Sequence, residues 1–215
     1  MTWMQTFSGI KFDLENPDAF MIKMQDIAIS LSRQLRFNGH TKLPYSIAQH
    51  SILVADLVLQ AGGTYEQVLA ALLHDAHETY TSDIPSPVKW VLGNHWAPMK
   101  EVQKRVDDAI AEYFGFDAAL FSDPLIKHAD GSALWHEKHA LLDDFGHNWN
   151  WEIILHGKEP LLLPNADHDA WMDLSKPWHS EHSYHEFFFA VRSAMQAIST
   201  PVEAGSLEME DPAYD

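Results

Sequence analysis

The feature that most constrains this 215-residue chain is a recurrence of apolar residues at helical spacing, punctuated by caps, glycines and prolines, with no convincing series of alternating strand residues. The pattern predicts an all-α fold. A first helix is expected from about Asp18 to Phe37, burying Phe20, Met24, Ile27, Leu31 and Leu35 and stopped by Asn38-Gly39. A second runs from an N-cap at Ser46 to about Gln60, before Gly62-Gly63. Thr64, with Gln67 in the capping-box position, opens a third, and Pro85 and Pro87 close whatever follows it. A fourth is expected from about Pro98 to Phe114 on Met99, Val102, Val106, Ile110 and Tyr113, with Gly115 at its end. Asp123-Pro124 is an N-cap and first-position proline for a long fifth helix to about Leu142, and a last helix covers about Ser180 to Ile198.

The stretch from Asp143 to Pro177 is rich in Trp, Asn and Pro without a clear period, and is read as loop, with Ile153-Ile154 and Leu161 to Leu163 as a possible short strand or cover. Residues 1–199 form one domain in this reading, and residues 200–215, with five acids and no base, an acidic and disordered tail. Fourteen basic against 31 acidic residues give a net charge of -17. That argues against a general basic surface for nucleic-acid polymers or anionic lipid. There is no cysteine, which excludes disulfides, thiolate metal sites and cysteine nucleophiles. No apolar run approaches the ~18 residues of a membrane span, and Met1 to Ser8 lacks the marks of a secretory signal. A soluble, cytoplasmic protein is expected.

Projecting each helix at ~100° per residue isolates the polar groups that fall inside apolar stripes, where an unpartnered charge costs on the order of several kcal/mol. His50 lies among Ile47, Leu53, Val54 and Leu57, and Asp130 among Ile126, Ala133, Leu134 and Leu141. His50 alone is as readily a hydrogen-bonded core histidine as a ligand. A buried carboxylate at Asp130 demands a cation, a metal or several donors. On the third helix Leu69, Leu72, Leu73 and Ala76 make an apolar face, while Ala71, His74, Asp75 and Glu78 share the other. Taken alone that second face reads as solvated surface. One divalent ion held by His50, His74, Asp75 and Asp130 would satisfy all the misplaced groups together, and this N/O set suits Zn, Mn, Fe, Co or Ni. His168-Asp169 reads as loop, and His136 and His139 point away from the Asp130 stripe. His77, His95, His128, His147, His182 and His185 read as surface groups. No G-x-S-x-G, P-loop or G-x-G-x-x-G motif is present.

The order H, HD, D formed by His50, His74-Asp75 and Asp130 resembles the signature of the HD-domain metal-dependent phosphohydrolases. The segments HDAHETYTSDIPSPVK (His74 to Lys89), YSIAQHS (Tyr45 to Ser51), RFNGH (Arg36 to His40) and KHAD (Lys127 to Asp130) resemble the bacterial 5'-deoxynucleotidases and the phage dATP triphosphohydrolases. The likeness spans roughly Phe20 to Leu142. Phe37 stands where the deoxynucleotidases have Trp, which leaves base and sugar preference open.

The resemblance implies an HD-type helical bundle whose metal ligands are His50, His74, Asp75 and Asp130. It puts Glu78 and Asp83 in charge of the water and the leaving oxygen, with Arg36, Phe37 and Lys89 on the substrate side. The implied reaction is hydrolysis of a deoxynucleotide by attack of a metal-bound water on phosphorus, on a monophosphate to release phosphate or on a triphosphate to release tripolyphosphate. A helical spacing of four residues puts Glu78 one turn beyond His74 on the same side. Relatives of this kind resemble dimers or larger rings, so a homo-oligomer is expected. Two alternatives stand beside this reading: an HD hydrolase of a signalling nucleotide such as an alarmone or cyclic nucleotide, and a non-catalytic helical binding protein stabilised by its metal.

Overall fold

The computed structural model describes residues 2–163, 174, 176 and 178–200. The expected tail at 200–215, apart from Thr200, and the His168-Asp169 pair lie outside them. The described chain is all-α apart from a two-stranded antiparallel hairpin, β1 (Trp3–Gln5) and β2 (Lys11–Asp13), in which Met4 pairs with Phe12. Strands of three residues are too short to leave a period in the sequence, which is why the hairpin was not anticipated. It is not an ornament: the Phe12 ring is fully buried and stacks on Tyr80 at 3.7 Å between centroids.

Helix α2 (Ile47–Gln60) is the axis of the bundle. Nearly every residue from Ile47 to Val58 is buried, and a helix that is apolar all round must be surrounded. Its neighbours are α1 (Met24–Arg33), α3 (Tyr65–Leu72), α7 (Pro124–Leu141) and α9 (Ser180–Ser199), and α9 also lies across α1 and α3. The caps read from the sequence are in place. Ser46 Oγ accepts from Gln49 N at 3.1 Å, Thr64 and Gln67 form the reciprocal capping box, and Asp123 Oδ1 accepts from Leu125 N at 2.7 Å. Helix α6 (Ala97–Phe114) ends on Gly115 at φ 78°, ψ 34°, a left-handed cap.

Four expectations change. The first helix is shorter than its apolar stripe suggested: Asp18 caps only a single 3-10 turn, Ala19–Met21, and α1 starts at Met24. Phe20 is accordingly exposed, and Leu35 lies beyond the helix, bridged to Ser46. The third helix stops at Leu72, and the chain turns through Leu73 to His77 before a one-turn helix α4 (Glu78–Thr81). A further short helix, α5 (Ser86–Leu92), follows, and Ile153-Ile154 belong to a helical turn, α8 (Trp151–Ile154), rather than to a loop or a short strand. On α6, Tyr113 is exposed and Phe114 takes the buried position.

His128 is buried rather than superficial, donating from Nε2 to Glu159 O at 2.8 Å; with His136 Nε2 donating to Leu161 O at 2.8 Å, it pins the 155–163 segment along α7. Between them Gly131 permits direct backbone contact, since a Cβ there would lie 2.7 Å from Ile154 O. Backbone cannot yield as a flexible side chain can. Gly131→Ala is therefore expected to destabilise the protein by about 1–3 kcal/mol, measured as a lowered midpoint in urea unfolding.

Candidate metal centre

Three helical regions deliver the four residues expected to bind metal to one place. His50 projects from the axis helix α2, His74 and Asp75 from the turn after α3, and Asp130 from the middle of α7. One ligand atom each from His50, His74 and Asp130 lies within 4.8 Å of the others. Asp75 joins them, its Oδ2 lying 3.6 Å from His50 Nε2 and 3.3 Å from His74 Nε2. Asp130 Oδ1 is 3.3 Å from His50 Nε2 and 3.8 Å from His74 Nε2. Ligand atoms bound at ~2.1 Å around a tetrahedral ion stand about 3.4 Å apart, so these four separations are those of co-ligands.

The hydrogen bonds of the rings agree. His74 Nδ1 donates to Ala71 O at 2.7 Å, and a carbonyl can only accept, so its Nε2 is left to carry a lone pair when the ring is neutral. His50 Nδ1 contacts Glu137 Oε1 at 2.5 Å. Both Nε2 atoms are buried and neither makes a well-directed hydrogen bond. Orphaned ring nitrogens facing two carboxylates are what a divalent cation resolves. The side chains of His50 and His74 are 0% and 2% exposed, against 19% and 37% for Asp75 and Asp130. The centre is thus sealed behind its imidazoles and open on its carboxylate side.

The charges of the chain alone show the same need. Burial works against an imidazolium at His74, yet Asp75 and then Asp130 outweigh it and push the ring up to about 10. His50 also moves up: burial and Arg36 oppose its charge, while Glu137 and Asp130 prevail. Asp75, despite burial, is held well below the usual carboxylate range by His74 and His50. A metal ion would compete with protons for the same imidazole lone pairs.

Glu137, on α7, is a partner of the cluster that the sequence motifs do not single out. It is fully buried and accepts from Arg36 through Nε at 3.2 Å and NH2 at 3.1 Å while holding His50. Burial alone would raise its pKa; Arg36 and then His50 hold it below its ordinary value. The signal was available, because Glu137 lies seven residues after Asp130 and so shares its helical face. Arg36 is therefore committed to Glu137, with NH1 3.7 Å from Asp75 Oδ2, rather than reaching freely into solvent.

The second face of the third helix is not surface. Ala71, His74 and Glu78 are buried, and Glu78 reaches the cluster's side through the turn from Asp75 O to Glu78 N, 3.0 Å, not along a continuous helix. Gln34, also missed, fixes this acid-bearing segment: its Nε2 donates to Glu78 O at 3.0 Å and its Oε1 accepts from Asp83 N at 3.3 Å. Nothing local in the sequence links Gln34 to residues more than forty positions on. Glu78 is pushed well above the usual range by burial, Asp75 and Asp83, and burial raises Asp83 as well. Lys89 opposes both shifts by its charge, and its Nζ sits 5.7 Å over the Trp96 ring. Phe37 lies beside Arg36, whose guanidinium carbon is 5.5 Å from the ring centre.

Fold and site together define an all-α protein with a group, His50, His74 and Asp130, that could hold a metal ion, and with Asp75 beside it. No family model matches the chain. It is 38% identical over 149 residues to "Uncharacterized protein YfdR" of Escherichia coli K12, an alignment covering 69% of this chain and 78% of that protein. The chain belongs to the YfdR family. It is also 38% identical over 122 residues to "Uncharacterized protein RCAP_rcc00048" of Rhodobacter capsulatus, covering 55% of this chain and 61% of that protein. Among the described residues no helix is long and apolar enough to cross a membrane.

Two expectations follow from the geometry. Glu137→Gln keeps the shape but removes the charge that anchors His50 and Arg36, and it is expected to weaken divalent-metal affinity about 10- to 100-fold in a calorimetric titration. Ser82, between the two acids, sits at φ 64°, ψ 157°, a region that side chains avoid. Ser82→Gly relieves roughly 1–3 kcal/mol of strain against a chain-entropy cost of about 0.5–1 kcal/mol, so a net gain near 1 kcal/mol is expected in thermal unfolding.

Proposed function

We propose that this protein is a metal-dependent phosphohydrolase of deoxynucleotides, a 5'-deoxynucleotidase or a triphosphohydrolase. The observation that carries the reading is the pair of buried, unpartnered Nε2 atoms of His50 and His74 facing the partly open carboxylates of Asp75 and Asp130. The resemblance of His74 to Lys89 and of Arg36 to His40 to the HD-domain enzymes supplies the substrate class.

His50, His74, Asp75 and Asp130 would hold one divalent transition ion. When bound, such an ion offsets the anionic oxygens of a phosphate ester and makes a water more acidic. The chain's own groups do the rest. Glu137 and Ala71 O fix the rotation of the two imidazoles, so the donor atoms are set before any ligand arrives. Glu78 has a buried Oε2 without a hydrogen-bond partner and a raised pKa, which suits it to hold a proton at that atom and pass it to a leaving oxygen. Asp83, held by Gln34, orients the attacking water. Arg36 and Lys89 bring positive charge to the open side of a protein whose net charge of -17 repels nucleotides at large.

Product analysis with dAMP and dATP side by side, in Mn²⁺, Co²⁺ and Zn²⁺, tests the proposal. Phosphate from dAMP or tripolyphosphate from dATP is expected, abolished in Asp75→Ala and in EDTA. A folded Asp75→Ala variant that keeps turnover would refute the assignment. Stoichiometric metal with a large thermal shift and no turnover on either nucleotide would favour a binding protein instead.

A further inference from the structure

A run of aromatic rings begins at the candidate centre and leads away from it. The Phe37 ring lies under the Arg36 guanidinium at 5.5 Å, and the same guanidinium is 3.7 Å from Asp75 Oδ2. The centre of that ring is therefore within about 11 Å of a candidate metal ligand, a length a nucleotide spans between phosphate and base. Trp149 meets Phe37 edge-on at 6.5 Å and 67°. Trp151 backs Trp149 with its plane parallel to within 7° at 5.7 Å.

Two observations make this more than a cluster of greasy residues. Phe37 and Trp149 are both half-buried, each with one side supported by another side chain, so neither has been absorbed into the core. Both are also held by deliberate backbone geometry. Phe37 and Asn38 adopt left-handed conformations at φ 54° and 51°, unfavourable for a bulky aromatic residue. Trp149 is bracketed by an Asx turn, in which Asn148 Oδ1 accepts from Asn150 N at 2.8 Å, and Asn150 is itself left-handed at φ 55°. A Phe37 ring fixed at that cost within reach of Asp75, with Trp149 against its edge, suits a planar, π-faced ligand group rather than an aliphatic one.

We infer that Phe37 and Trp149 form a wall for the heteroaromatic ring of the ligand, in which the Trp149 face stacks on that ring and Phe37, inclined by 67°, meets it edge-on. Trp149, in a segment outside the HD-like region, makes the protein prefer phosphates that carry a base over those that do not. The inference rests on the phosphohydrolase reading only for placing the phosphate at the His50–His74 end. Base–aromatic stacking is sequence-tolerant and strong enough to dominate such a preference.

The experiment compares wild type, Trp149→Leu and Trp149→Phe on dAMP and on 2-deoxyribose 5-phosphate. Phosphate release is followed with Mn²⁺, and equilibrium binding is followed by calorimetry in EDTA. Trp149→Leu is expected to raise KM and Kd for dAMP about 5- to 100-fold, Trp149→Phe to restore much of the loss, and the base-free probe to change by less than about twofold. Equal effects on both probes, no effect on either, or no difference between Leu and Phe would overturn the wall. Should wild type release phosphate from neither probe, the hydrolase reading falls while binding still decides: dAMP binding lost in Trp149→Leu and kept in Trp149→Phe upholds the wall, and binding indifferent to Trp149 or to the base sinks it.

Discussion

A histidine in the middle of a helix buried on every side is the constraint around which this structure is arranged. α2 is the axis of the bundle, so His50 has no route to water and both of its ring nitrogens must be answered from within. Glu137 answers one, which introduces a buried carboxylate that would be intolerable alone, and Arg36 answers Glu137. The other nitrogen points at Asp75 and Asp130, two more acids that need a cation. Each placement creates the demand that the next one meets, and the chain of demands ends at a group, His50, His74 and Asp130, that could hold a metal ion.

The two sides of this network do different work. Behind the imidazoles, Glu137 and Ala71 O fix the rotation of both rings. On the carboxylate side the cluster opens toward Arg36, Phe37 and the acid-bearing turn. Burial and repulsion from Asp75 raise the pKa of both Glu78 and Asp83, so that turn holds its protons more tightly than free carboxyls do. The cluster is thus sealed on one side and open on the other.

Much of this was legible in the sequence because it follows from short-range rules. Caps at Ser46, Thr64 and Asp123 act within three residues, and the misplaced polarity of His50 and Asp130 is a property of single helices. The helical convergence follows once a metal is assumed. What stayed hidden depends on contacts across the chain. Glu137 shared its face with Asp130 but was masked by the more conspicuous His136 and His139. Gln34 works only because α1 lies next to α4, and the early end of the third helix at Leu72 reflects the needs of the His74 turn rather than any breaker in the sequence. Leu73 and Ala76 continue the helical pattern even though the backbone does not, since tertiary packing buries them either way.

The stacking of Phe12 on Tyr80 has a consequence for how the protein can be handled. Tyr80 lies midway between Glu78 and Asp83, so the aromatic plate contributed by the amino-terminal hairpin is a mechanical stop for the loop that presents both acids. Engineering done at the leading end of the polypeptide, such as trimming the hairpin or replacing its inward ring, would be transmitted across the stack to the segment that carries Glu78 and Asp83 some seventy positions later.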